Sequence, residues 1–136
     1  MVKQIVRDVF FLGQKSEEAT ENDKEIITDL KDTLRENHEH CVGMAANMIG
    51  YRQRIIIVSM GLMDMIMVNP VILKKSQPYD AEEGCLSLDG VRKTKRFKKI
   101  RVRYMDENFQ THTQDYEGHI AQIIQHECDH LEGIII

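Results

Sequence analysis

Apolar residues recur along this chain at two different periods. Between residues 22 and 38, Ile26, Ile27, Leu30 and Leu34 fall three and four apart, which places them on one side of a helix. Asn22, with Glu25 three residues on, reads as a capping box at its start. The glycine-framed run Cys41-Val42-Gly43-Met44-Ala45-Ala46-Asn47-Met48-Ile49-Gly50 predicts a tight loop where backbone approaches another group closely. Ile55-Ile56-Ile57-Val58 and Met65-Ile66-Met67-Val68 read as strands, with Asn69-Pro70 marking an edge or a strand end and Asp89-Gly90 a turn. Ile100, Val102 and Tyr104 alternate with Arg101 and Arg103, so 99–105 is a half-exposed strand. Helical spacing returns from Tyr116 to Leu131 through Ile120, Ile123, Ile124, Cys128 and Leu131, and Gly133 is its stop. Strands followed by a buried final helix predict an α+β domain, its mixed or antiparallel sheets packed around that helix.

Composition narrows the setting. The chain has 136 residues, enough for one core, and it contains neither repeats nor a Pro-, Gly- or Ser-rich linker, so a single domain over 1–136 is expected. A net charge of −4 gives no reason to expect nucleic acid. The basic stretch from Arg92 to Lys99 is taken as a solvated hairpin. No run approaches the roughly 18 apolar residues of a membrane span, and the charged N-terminus is not a signal peptide. Three cysteines without a secretion signal fit a reduced, cytoplasmic protein with a ligand or nucleophile thiol better than a disulfide framework.

Candidate chemistry concentrates on the last helix. His126-Glu127-Cys128-Asp129-His130 has the HExxH form. Residues four apart share a helix face, so both imidazoles reach one metal ion and Glu127 reaches a water beside it. A third ligand is needed. Only six residues follow His130, and Glu132 among them points away from the histidine face, so the ligand must come from upstream. Cys85, in Glu83-Gly84-Cys85-Leu86-Ser87, is the first candidate and Cys41 the second. Cys128 is expected to pack as a small hydrophobe, and His38, His40 and His112 to be solvated.

Together these segments resemble the peptide deformylase family. Gly43-Met44-Ala45-Ala46-Asn47-Met48-Ile49-Gly50 resembles its first motif. Glu83-Gly84-Cys85-Leu86-Ser87 matches its second, and Gln125-His126-Glu127-Cys128-Asp129-His130-Leu131-Glu132-Gly133 its third. The resemblance covers nearly the whole chain. It implies hydrolytic removal of the formyl group from the N-terminal formylmethionine of nascent polypeptides. It also implies one divalent metal ion held by Cys85, His126 and His130, Fe(II) in the cell, with zinc, nickel or cobalt able to replace it. The metal would lower the pKa of its water, Glu127 would act as general acid and base, and the Leu86 N–H would stabilise the oxyanion. Gly43 backbone would pair with the peptide as an added strand. Met44, Glu83, Gly84, Arg92, His119, Gln122 and Ile123 complete the expected substrate-binding set.

Two departures stand out. The family places a glutamine amide, an oxyanion donor, where this chain has Met48, and a thioether cannot donate. The family also places apolar residues where His119 and Gln122 stand, seven and four before His126, on the ligand-bearing face. Gln122 is thus a candidate substitute for the missing amide. A rival reading follows from Met48: a metal-binding, deformylase-like protein with little turnover and a binding or regulatory role. Ile134-Ile135-Ile136 is expected to form a short strand or a buried hydrophobic end, a possible homodimer contact in an otherwise monomeric protein.

Overall fold

The computed structural model describes residues 1–135. A short helix α1 (Val9–Leu12) and a 3-10 turn (Glu21–Asp23) precede helix α2 (Lys24–Glu36). Strands β1 (Gly43–Ala45), β2 (Ile55–Ser59), β3 (Asp64–Cys85), β4 (Leu88–Met105) and β5 (Thr111–Glu117) follow, and helix α3 (Gly118–Leu131) closes the order. All five strands form one antiparallel sheet, in chain order β1-β2-β3-β4-β5. Of the mixed or antiparallel arrangements expected, the sheet is the antiparallel one, and α3 packs on it as the α+β reading predicts.

Strand β2 is buried on both faces, and strand alternation explains how. Ile55 and Ile57 of β2 join Ile26, Ile27, Leu30 and Leu34 of α2 in one core cluster. Ile56 and Val58 point the other way and join Ala121, Ile123, Ile124 and Leu131 of α3. A strand covered by a helix on each side must be apolar at every position, so β2 is a continuous aliphatic run.

Several boundaries differ from the sequence reading. The capping box lies two residues earlier than Asn22/Glu25: the Thr20 N–H donates to Asp23 Oδ2 at 2.8 Å, and the Asn22 N–H donates to Thr20 Oγ1 at 3.3 Å. Asn69-Pro70 does not end β3. The strand passes through a bulge there, with Asn69 at φ +51° and its side-chain amide tied to the Ala19 backbone. Asp89-Gly90 is likewise a bulge just after the turn, which Leu86 and Ser87 make. Residues 111–117 form a strand, so the last helix starts at Gly118 rather than at Tyr116. The basic segment 92–99 is indeed one arm of a hairpin, but Arg96 within it is buried. Ile134 and Ile135 form no strand and stay 45% and 38% exposed, against the expected buried end; Ile136 lies outside the described residues. Gly133, at φ +74°, does stop α3.

Two contacts fix the frame around the site. The buried Asp29 of α2 accepts from the Met1 ammonium at 2.9 Å and from the Tyr51 hydroxyl at 2.8 Å. Burial alone would raise its pKa, but these donors outweigh burial and lower it. On the opposite face, α3 lies directly on β1 at Gly43. A Cβ there would meet Ile123 Cγ2 at 2.7 Å and Glu127 Oε2 at 3.0 Å, closer than real side-chain carbons pack.

Two outcomes are expected. Asp29→Ala should destabilise the fold by about 1 kcal/mol in urea titrations near neutral pH, since it removes the acceptor of the half-buried Tyr51 hydroxyl. The folded carboxyl sits below its unfolded value of about 3.9. That stabilisation is therefore complete above pH ~4 and is lost as the pH falls through the folded pKa, where variant and parent should converge. Gly43→Ala should destabilise by about 1–3 kcal/mol through overpacking and shift Glu127. A Gly43→Ala protein with unchanged midpoint and crystal geometry would contradict the close approach.

Candidate active site

The α3 helix crosses the sheet beside β1 and the β3–β4 turn, and a cleft of about 430 Å³ opens where the three meet. One ligand-type atom each from Cys85, His126 and His130 lies within 4.8 Å of the others. The two histidines occupy successive turns of α3, and their Nε2 atoms face each other at 3.0 Å. Cys85 arrives from the last residue of β3. Cys41 is not among the converging atoms: its thiol donates to the Gly43 carbonyl at 2.8 Å, and burial pushes its pKa up to about 12. Cys128 packs against the α3-side core, as expected of a small hydrophobe.

A buried polar cluster holds this arrangement. His126 Nδ1 contacts Glu83 Oε1 at 2.7 Å, which orients the ring and turns Nε2 toward the cleft. Glu83 is gripped by Arg96, with Nη2 to Oε1 at 2.7 Å and Nε to Oε2 at 2.9 Å. Arg96 also reaches Asp129 Oδ2 of α3 at 2.7 Å, so one guanidinium joins both arms of the hairpin to the helix. Gln122 adds a third donor to Glu83, Nε2 to Oε2 at 2.9 Å. Burial would raise the Glu83 pKa, but the bonds from His126, Arg96 and Gln122 outweigh it and hold the group at about 2.

Burial and neighbouring groups shift the titratable side chains of the cleft in opposite directions. Burial would lower the His126 pKa, but Cys85 and Glu83 outweigh it and raise it to about 10. Burial takes His130 down to about 3, leaving its imidazole neutral. Glu127 is pushed up to about 7, chiefly by burial, and its Oε1 is buried without a partner. A thiol and two imidazoles converge at the cleft that Glu127 also lines, so the residues present fit a divalent ion with an open position.

The remaining expected residues divide. Gly43, Met48, Glu83, Gly84, Leu86, His119, Gln122 and Ile123 line the cleft. Met44 does not: its side chain is fully buried in the core on the α2 side. Arg92 does not either, because its guanidinium turns back to the Asp89 carbonyl at 3.2 Å. Met48 is buried, and its sulfur accepts from the Ala45 N–H at 3.5 Å. Gln122, the candidate substitute for the missing oxyanion amide, spends one of its two amide N–H donors on Glu83. Sequence reasoning missed Arg96, whose only signal was an arginine in a strand of solvated lysines. It also missed Arg7, which bonds the Leu86 carbonyl at 3.1 Å and Asp89 at 2.7 Å and so braces the turn.

Known proteins point to the same chemistry. The family model described as polypeptide deformylase matches residues 4–136. A peptide deformylase of Clostridium beijerinckii is 61% identical over 136 residues, covering 100% of both chains. Peptide deformylase 1 of Clostridium perfringens is 41% identical over 115 residues, 82% of this chain and 77% of its own. Among solved structures, the Thermotoga maritima peptide deformylase superposes with a TM-score of 0.89 at 30% identity, covering 99% of this chain and 95% of its own. The Met-Ala-Ser-bound class I type b enzyme of Acinetobacter baumannii reaches 0.90 at 26% identity, over 99% and 97%. The chain therefore belongs to the peptide deformylase family, hydrolases that remove the N-formyl group from new polypeptides.

Proposed function

We propose that this chain deformylates the N-terminal formylmethionine of nascent chains in the cytoplasm, with Cys85, His126 and His130 holding one divalent ion and Glu127 moving the proton. The observation that carries this reading is the convergence of Cys85, His126 and His130 at a cleft that Glu127 also lines. An ion held there acidifies water near neutral pH and polarises a carbonyl. Fe(II) is the ion we assign, on the family resemblance; the donor set accommodates Zn(II), Ni(II) or Co(II) as well.

The chain's own groups do the rest. Glu127, its pKa pushed up to about 7, is matched to taking a proton from water and returning it to the departing amine. The Leu86 N–H, at the β3–β4 turn on the cleft wall, is the oxyanion donor in this reading. The substrate backbone adds to β1, which ends the sheet and so leaves one edge unpaired by strand. Glu83, through Arg96 and His126, keeps the ligand rings aimed. A homodimer contact over the exposed Ile134 and Ile135 is the oligomeric form in keeping with their exposure.

The test is anaerobic turnover of formyl-Met-Ala-Ser by the Fe(II)-loaded protein. Glu127→Gln should lose about 10²–10⁴-fold in kcat while keeping the metal. Met48→Gln should gain about 10²-fold in kcat, because it restores an amide donor to the cleft. A metal-loaded parent and Met48→Gln variant that both leave the peptide intact would overturn the assignment and favour a binding role.

A further inference from the structure

We propose that Asn47, in the short 3-10 turn that follows β1, is a positioning residue for the ligand His130, because its side chain pins the last turn of α3. The inference rests on the metal-site reading above. The two histidines are held in different ways. His126 is oriented through its ring, where Nδ1 meets Glu83 Oε1 at 2.7 Å. His130 has no such brace, since its Nδ1 is buried with no partner among the described residues. Where its ring points therefore depends on where the backbone of residue 130 lies.

That backbone belongs to the weakest part of the helix. His130 is the next-to-last residue of α3, and the last four carbonyls of a helix have no partner in the regular ladder. The Asn47 side-chain N–H donates to the His130 carbonyl at 2.9 Å, across 83 positions of sequence. The same carbonyl accepts from the Gly133 N–H at 3.0 Å, and the Leu131 carbonyl accepts from the Ser16 N–H at 2.8 Å. Of these three donors only Asn47 is a side chain, and only Asn47 ties the helix end to the turn whose next residue, Met48, lines the cleft. Asn47 is 1% exposed, the one polar side chain among Ala46, Met48 and Ile49. An amide buried in such company costs stability unless it is hydrogen-bonded. Its one side-chain bond among the described residues goes to the residue that carries the second ring.

The experiment measures the Zn(II) affinity of the full chain, by competition with a chromophoric chelator, and its Co(II) absorption spectrum. The parent is compared with Asn47→Ala and Asn47→Leu, and each affinity is referred to the folded fraction. Alanine leaves space and leucine fills it, so the pair separates the lost donor from altered packing. Asp29→Ala, which weakens the fold on the α2 side of the sheet, is the reference for lost stability alone. Zn(II) affinity should fall about tenfold in both Asn47 variants, with an altered Co(II) ligand-field spectrum, and stay at the parent value in Asp29→Ala. Asn47 variants that bind Zn(II) within twofold of the parent and keep its Co(II) spectrum would overturn the role of Asn47 while leaving the metal site standing. A parent that takes up neither ion would overturn the metal-site reading, and the proposal with it.

Discussion

Arg96 holds the site together. It is a cation buried between two carboxylates on different elements, Glu83 of β3 and Asp129 of α3. A charge so enclosed tolerates no loss of a partner, because the survivor would be left unpaired out of water. The hairpin that delivers Cys85 and the helix that delivers both histidines are therefore locked in one relative position before any ion arrives. Glu83 then passes that rigidity on, by orienting His126 through the nitrogen that does not face the cleft.

The two faces of the sheet divide the labour. On the α2 side, Ile26, Ile27, Leu30 and Leu34 close an aliphatic core that also takes in Met44 and Met48. On the α3 side, the helix must lie close enough for its histidines to meet Cys85, and that is possible because Gly43 presents no side chain to Ile123 and Glu127. The glycine of the first motif thus has a packing role as well as any role toward substrate.

The fold class, the main helices and the histidine pair of the candidate site were legible in the sequence because each rests on a local period or spacing, whereas the choice of Cys85 over Cys41 rested on the family resemblance. The four-residue gap between His126 and His130 survives any detail of tertiary packing, and the double-sided burial of β2 is written in four consecutive aliphatic residues. Long-range pairings left weaker signals. Arg96 looks like its lysine neighbours until β3 is laid beside it and α3 over it. Asn69-Pro70 and Asp89-Gly90 carry the residues of turns, yet strand pairing continues past both as bulges. Met44 and Met48 share one loop, and only the fold decides that the first faces the α2 core while the second borders the cleft.

The shortness of β1 has a consequence for what this enzyme can ignore. Three residues of edge strand, Gly43–Ala45, extend about 10 Å. A polypeptide laid along them engages mainly through its main chain, which every protein shares, and for only about three residues. Under the proposed strand addition, residues further along the peptide would go unread, and such an edge would suit a generalist that treats unrelated N-formylated chains alike.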